Sequence, residues 1–340
     1  MRTSVVLIAQ VESRQCDTVI IFKVLALAHF EVGRDGTFKI KGKHGFEIES
    51  GSYMLHRNNV TYSTADNSLT LKHGATYAGQ DTLGEYHEHA FDVSAVKGKD
   101  LTAYTKLKFL DKQVAMTAFI RVYPAQEFAL FRQHFYPSWD GMSVGDADRA
   151  VSAFPSVNVP KKSNMKFINP CWHMAGFFSI QAEWQSANVT LMCGGIKGGP
   201  FFIFDQVNVT SGHLGQTVAI SSFTKHTAWT AEPRSEESQI WFGLPGLVDQ
   251  LPENGYDIST IISYSDKGFY ESVQKWGATL RKYTGKGLER RESDDTVNYL
   301  GYWTDNGAFY YYNTEENKNY EVLSLSRATD IQLSCFRIPC

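Results

Sequence analysis

Tyr299-Leu300-Gly301-Tyr302-Trp303-Thr304-Asp305-Asn306-Gly307-Ala308-Phe309-Tyr310-Tyr311-Tyr312 is the stretch on which the reading of the fold turns. Its first five residues are mostly apolar and aromatic, the composition of a strand. Asp305-Asn306-Gly307 is turn chemistry. Trp303, Asp305 and Asn306 would then stand at the carboxyl end of a strand, where α/β enzymes place their reactive groups. A strand of this kind needs a helix and further strands to close a barrel. One helix, over 317–327, is expected after it, and 328–340 shows no continuation of the pattern.

Upstream the pattern is different. From about residue 36 to residue 264 apolar residues alternate with polar ones, and strands are predicted at 59–63, 68–72, 101–109, 114–123 and 127–135. In one of these Val114, Met116, Ala118, Ile120 and Val122 share a face, as a strand with one buried side requires. Asp66-Asn67, Lys97-Gly98, Pro124-Ala125 and Pro137-Ser138 supply the turns. Many strands on short connections, with no strong helix between them, predict a large antiparallel β-sandwich. The polar stretch 137–170, with its four prolines, is expected to cross the surface as a long loop.

Periodicity changes at residue 266. Phe269, Val273, Trp276, Leu280 and Tyr283 recur at helical spacing, with Ser265 or Asp266 as cap and Gly285 as terminator. A charged linker follows over 286–295, and a new strand is expected from about Val297. The predicted fold is therefore mainly β, organised as an extension or atypical signal segment (1–34), a sandwich (35–264), a helical linker (265–295) and the opening β/α unit of an incomplete barrel (296–340).

A chain of 340 residues, 43% hydrophobic and 14% aromatic, can fill a sizeable core. A net charge of −3 gives no case for nucleic acid or an anionic membrane as partner. The apolar run 18–28 ends in Ala26-Leu27-Ala28 like a signal cleavage site, but Lys23 interrupts it and it is too short to span a bilayer. Asn59, Asn188 and Asn208 each open an Asn-x-Thr glycosylation sequon, which suggests an extracellular or secretory location. Of five cysteines, Cys171 and Cys193 alone lie in the main body, either bridged or as buried thiols.

Trp303, Asp305 and Asn306 have sugar-binding chemistry. An indole face stacks on a pyranose, a carboxylate accepts hydroxyl hydrogen bonds, and an amide does both. The same residues also suit a plain turn beside a core tryptophan, and Tyr310 either lines such a site or packs beneath it. His87-Glu88-His89 is a second constellation: alternate residues share a strand face, so the two imidazoles could share a metal, but no third ligand is indicated and exposed polar strand residues are the plainer reading. His173 reads as a half-buried histidine. Trp139, Trp184 and Trp229 read as core more than as stacking platforms. The glycine cluster 193–200 lacks the Gly-Lys-Ser/Thr ending of a phosphate loop and reads as a hairpin turn. No metal or cofactor is indicated.

The segment 301–310, with its Ala308-Phe309-Tyr310, resembles the first barrel strand of the α-galactosidase and raffinose-synthase enzymes of glycoside hydrolase family 36. Trp241-Phe242-Gly243-Leu244-Pro245-Gly246 and the helix with Trp276-Gly277 extend the resemblance over about residues 35–325. It implies a galactose-mutarotase-like β-supersandwich leading through a linker helix into a (β/α)8 barrel, carbohydrate as partner, and Trp303, Asp305, Asn306 and Tyr310 as sugar contacts. Asp305 meets the signature aspartate only across a small gap. Such enzymes hydrolyse or transfer α-linked glycosides with two later aspartates, held roughly 5 Å apart in retaining enzymes. No segment of this sequence supplies those strands, so a fragment inactive as written is expected. Two alternatives stand beside it: a non-catalytic carbohydrate-binding module, and a mutarotase-like isomerase using His87, His89 or Glu88.

Overall fold

The computed structural model describes residues 29–96, 116–137, 139–173, 176–194, 199–205, 215–287 and 289–299. In chain order the strands are β1 (His29–Val32), β2 (Phe38–Lys41), β3 (Glu47–Glu49), β4 (Met54–Arg57), β5 (Val60–Ser63), β6 (Leu69–Gln80), β7 (Glu85–Ala95), β8 (Met116–Tyr123) and β9 (Phe128–Phe135). They continue as β10 (Ser152–Ala153), β11 (Ser156–Asn158), β12 (Lys166–His173), β13 (Gly176–Glu183), β14 (Phe201–Phe204), β15 (Thr217–Ser222), β16 (Thr230–Arg234), β17 (Gln239–Gly243) and β18 (Tyr256–Ser265). Helices α1 (Gly268–Thr284), α2 (Glu289–Glu292) and α3 (Asp295–Asn298) follow. Two compact units divide the chain, Met1–Leu280 and Arg281–Cys340.

The first unit is mainly β and antiparallel, as the alternation predicts. One nine-stranded sheet runs in the order β13-β12-β14-β15-β18-β9-β8-β7-β6. Three small sheets, β1-β2-β3, β10-β4-β5 and β11-β17-β16, form the layer facing it. The two layers share one core. Phe38 of β2 meets Phe131 of β9 at 4.6 Å between ring centroids, and Phe242 of β17 meets Phe201 of β14 at 5.5 Å. On β8, Met116, Ala118, Ile120 and Val122 are buried on the core side, while Phe119 and Arg121 alternate with them on the other. Each fully buried Phe or Ile contributes about 2–3 kcal/mol through the water it releases.

The outer face of the large sheet is covered in part by α1. Trp276 and Leu280 pack on Tyr123, Phe128, Leu130, Phe223 and Ile261. For this reason β18 is buried on both faces from Ile258 onward and loses its alternation. Lys275 fastens the helix to the sheet through Glu127 at 2.6 Å and the Tyr264 carbonyl at 2.8 Å. Tyr283, expected on the apolar stripe, is largely exposed instead. Gly285 ends the helix in a left-handed conformation, its N–H donating to Lys282 O and that of Lys286 to Arg281 O.

Two expectations need correction. The stretch 137–170 is not one loop: it holds β10, β11 and the start of β12. β10 and β11 are two and three residues long, too short for alternation to register. Val297, expected to open a strand, lies inside α3, and α2 falls within the linker read as helical over 265–295. Asp295 in the first turn of α3 suits the positive end of a helix, and the Asp294 carbonyl accepts from Val297 and Asn298 N–H. The predicted strand at 101–109 and the barrel unit beyond Tyr299 lie outside the described residues.

Cys171 and Cys193 form a disulfide, closing a separation of 22 residues. The Trp241–Gly246 phrase also has a structural explanation. Its backbone threads against 149–152: Val151 N–H donates to Leu244 O at 2.9 Å and Gly246 N–H to Arg149 O at 2.8 Å. A Cβ on Gly243 would collide with the Ser152 carbonyl oxygen, and one on Gly246 with that of Asp146.

Candidate functional site

Trp303, Asp305, Asn306 and Tyr310 lie outside the described residues, as does Asn208. Asn59 sits at the tip of the β4–β5 hairpin. Asn58 and Asn59 both adopt positive φ (50° and 60°), the geometry of a tight turn between twisted strands, and Asn59 is exposed. Asn188 stands in a short 3₁₀ segment, Ser186–Leu191, with its side-chain amide donating to the Glu183 carbonyl at 2.8 Å. Trp139, Trp184 and Trp229 are all buried in the core, as read from the sequence.

The pleat of β7 separates His87-Glu88-His89. His89 shares the core-side face with Phe91 and Val93, whereas Glu88 points to the opposite face. Register places Arg121 directly across from Glu88, with Nε 2.7 Å from Oε2, and Arg132 approaches Oε1 at 3.8 Å. Glu88 therefore cannot meet an atom that the two histidines also hold. The expectation of an exposed strand fails as well, since Glu88 is 8% and His89 6% exposed. Glu88 meets the two arginines, distant in sequence, and His89 meets His73 and Thr76 of β6.

A one-residue irregularity assembles the histidine side. Opposite β7, strand β6 shifts register between His73 and Ala75, so that His73 pairs with Phe91 and Thr76 with His89. Gly74 is the extra residue of this β-bulge. Without it, residues three apart would face opposite ways; with it, His73 and Thr76 both stand over β7's inner face. The Thr76 hydroxyl then joins the two rings, 3.0 Å from His73 Nε2 and 3.2 Å from His89 Nδ1. Burial, reinforced by the neighbouring His73 and His87, pushes the His89 pKa down to about 4. At neutral pH its ring is uncharged and can donate at one nitrogen and accept at the other.

These rings open on a pocket of about 520 Å³ whose lining includes Val32, Arg34, Asp35, Leu71, His73 and His89. Asp35 holds its own turn, Oδ1 accepting from the Thr37 N–H at 3.1 Å and hydroxyl at 2.6 Å. Tyr53 pins the same turn by donating to the Gly36 carbonyl at 2.5 Å. A second groove of about 530 Å³ lies between the β12–β13 ribbon and α1, walled by Ile168, Pro170, Phe202, Phe269 and Trp276. Among the described residues no cluster of three or more His, Cys, Asp or Glu could hold a metal ion, and no helix is long and apolar enough to cross a membrane.

No protein-family model matches the sequence, and no curated protein matches it. Solved structures do align with it. The ligand-free α-N-acetylgalactosaminidase of Bifidobacterium bifidum is 9% identical with a TM-score of 0.44, over 77% of this chain and 38% of that one. An α-galactosidase from Lactobacillus brevis is 10% identical with a TM-score of 0.38, over 80% and 36%. An α-mannosidase from Enterococcus faecalis is 7% identical with a TM-score of 0.41, over 75% and 30%. The chain thus spans well under half the length of each of these enzymes.

Proposed function

We propose that this chain is the sandwich-bearing part of a glycoside hydrolase acting on α-linked glycosides, by hydrolysis or glycosyl transfer. The reading rests on the order of parts. An antiparallel sandwich is followed by a helix packed on its outer face, and then by the 301–310 segment that resembles an opening barrel strand. In this reading Trp303 stacks on the substrate sugar, Asp305 and Asn306 hydrogen-bond its hydroxyls, and Tyr310 closes the site. Among the described residues we assign no acid and nucleophile pair. The buried carboxylates Glu88 and Glu232 are occupied by arginines, Arg121 at 2.7 Å and Arg234 at 2.9 Å. Removing such a pair costs several orders of magnitude in rate. The purified chain is therefore expected to cleave nitrophenyl α-galactoside no faster than buffer does. Clear turnover that disappears in Asp305→Ala would overturn this assignment.

A secretory location belongs to the same proposal. The Cys171–Cys193 bridge suits an oxidising compartment, and the exposed Asn59 turn suits a glycan acceptor. Expression in secreting eukaryotic cells should yield a chain whose mass falls on enzymatic deglycosylation, with the loss reduced in Asn59→Gln. A secreted chain with bare Asn59 would remove the glycan claim. A carbohydrate-binding module is the second reading, favoured by the aromatic groove at Phe202, Phe269 and Trp276. It predicts glycan affinity that Trp276→Ala abolishes.

A further inference from the structure

The sequence sets two basic residues side by side in three places: Lys161-Lys162, Arg281-Lys282 and Arg290-Arg291. The fold treats them differently. Arg281-Lys282 lies in the last turn of α1, and Arg290-Arg291 lies within α2. A helical backbone spends its polar groups on itself, so it must unwind before it can pair with a cleft that takes extended chain. Lys161-Lys162 lies instead in the irregular connection between β11 and β12. Both lysines are exposed, and neither makes an ion pair or hydrogen bond with a described residue. Among the described residues, no backbone N–H or C=O of 161–164 has a hydrogen-bond partner. Anchors stand on either side: Ser186 N–H donates to Pro160 O at 2.7 Å, and Trp184 N–H to Met165 O at 2.8 Å. The basic pair is thus displayed on a fixed frame with its main chain unspent, as nicking sites require.

We propose that this loop is a processing site for a basic-specific serine endoprotease, which hydrolyses the Lys162–Ser163 bond. Carboxylates in the protease's subsites take the two ammonium groups. The peptide carbon–nitrogen bond breaks and one water is consumed. The water's hydroxyl joins the Lys162 carbonyl carbon, and its remaining proton goes to the Ser163 nitrogen, leaving a new carboxyl and a new amino terminus. The product is a nicked molecule whose two pieces stay together. The loop is the crossover between layers, from β11 in the β11-β17-β16 sheet to β12 in the nine-stranded sheet. Pairings that span the cut survive it: β11 holds β17, and β9 holds β18 over eight residue pairs. Phe131 of the first piece and Ile262 of the second remain in one core. The Cys171–Cys193 bridge falls wholly within the second piece, so it does not tie the two.

The test is brief digestion of the full 340-residue chain with trypsin and with a dibasic-specific serine endoprotease, followed by mass spectrometry and size exclusion. A new amino terminus at Ser163 should appear before any cut after Lys282 or Arg291. The two sides of the cut should elute together and part only in denaturant. Lys161→Gln combined with Lys162→Gln, at two exposed positions, should slow this cleavage at least about a hundredfold and leave the thermal unfolding profile intact. Ser163→Pro keeps both charges and removes an N–H that no described residue accepts. It should block the cut by restricting the Lys162 backbone. A Lys162–Ser163 bond that survives in the native chain, under conditions that cut it in the urea-unfolded chain, would overturn the site. Earlier cutting after Lys282 or Arg291 would overturn its selection by the fold. Sides that separate without denaturant would overturn the two-piece product. A failure of the α-glycosidase assignment would leave all these outcomes unchanged.

Discussion

His89 shows how much of a residue's chemistry is set by distant sequence. Alternation along β7 gives its face, but not its cover, to which His73 and Thr76 contribute through the register shift of β6. The cover has a pH consequence. In the unfolded chain the ring takes a proton near its ordinary value of 6.5; in the folded protein it does so only near 4. Between these values the unfolded state binds more protons, so stability falls as pH falls, and below about 4 the loss stops. We expect about 1–2 kcal/mol from this ring after allowance for solvent screening. Denaturant midpoints at pH 7 and pH 4.5 should differ less in His89→Gln than in the parent; an equal loss in both would refute the assignment. Glu88 teaches the same lesson, because its arginines lie on β8 and β9 and no local pattern points to them. The sugar-contact candidates at 303–310 rest on local composition and resemblance, and the described residues do not reach them.

Among elements, the longest were the most legible. The α1 stripe of Phe269, Val273, Trp276 and Leu280 is visible at a glance, and three of the four appear in the aromatic groove. β8 and β9 were equally plain, because alternate residues of each fill the core over eight residues. β10 and β11 were invisible, since they are held by the neighbours they pair with and not by their own pattern. The Trp241–Gly246 phrase was legible as important but not for the right reason. Its glycines let two backbones approach, which is a packing requirement. Gly243→Ala should therefore cost at least about 2 kcal/mol, read from denaturant unfolding. A neutral substitution would mean that the 149–152 segment can step aside.

At the scale of the whole molecule, alternation, turn chemistry and the single long helix led to the sandwich, while the layering could not be read. Which of the short strands face the nine-stranded sheet depends on pairings across more than a hundred residues, such as β11 with β17. The large sheet has β6 at one margin, paired only with β7 among the described residues. At twelve residues β6 is a long margin, and such margins recruit strands from other chains.

Gly74 interrupts that margin near its middle. A straight β6 would offer an uninterrupted row of free donors and acceptors; the kink breaks the row in two. The same insertion that gathers two imidazoles and a hydroxyl over β7 therefore also guards solubility. Deleting Gly74 should scatter more light in a concentrated solution and, by turning Thr76 away, unlink the imidazole pair. Chemistry and colloidal behaviour would then fail together, from the loss of the smallest residue in the chain.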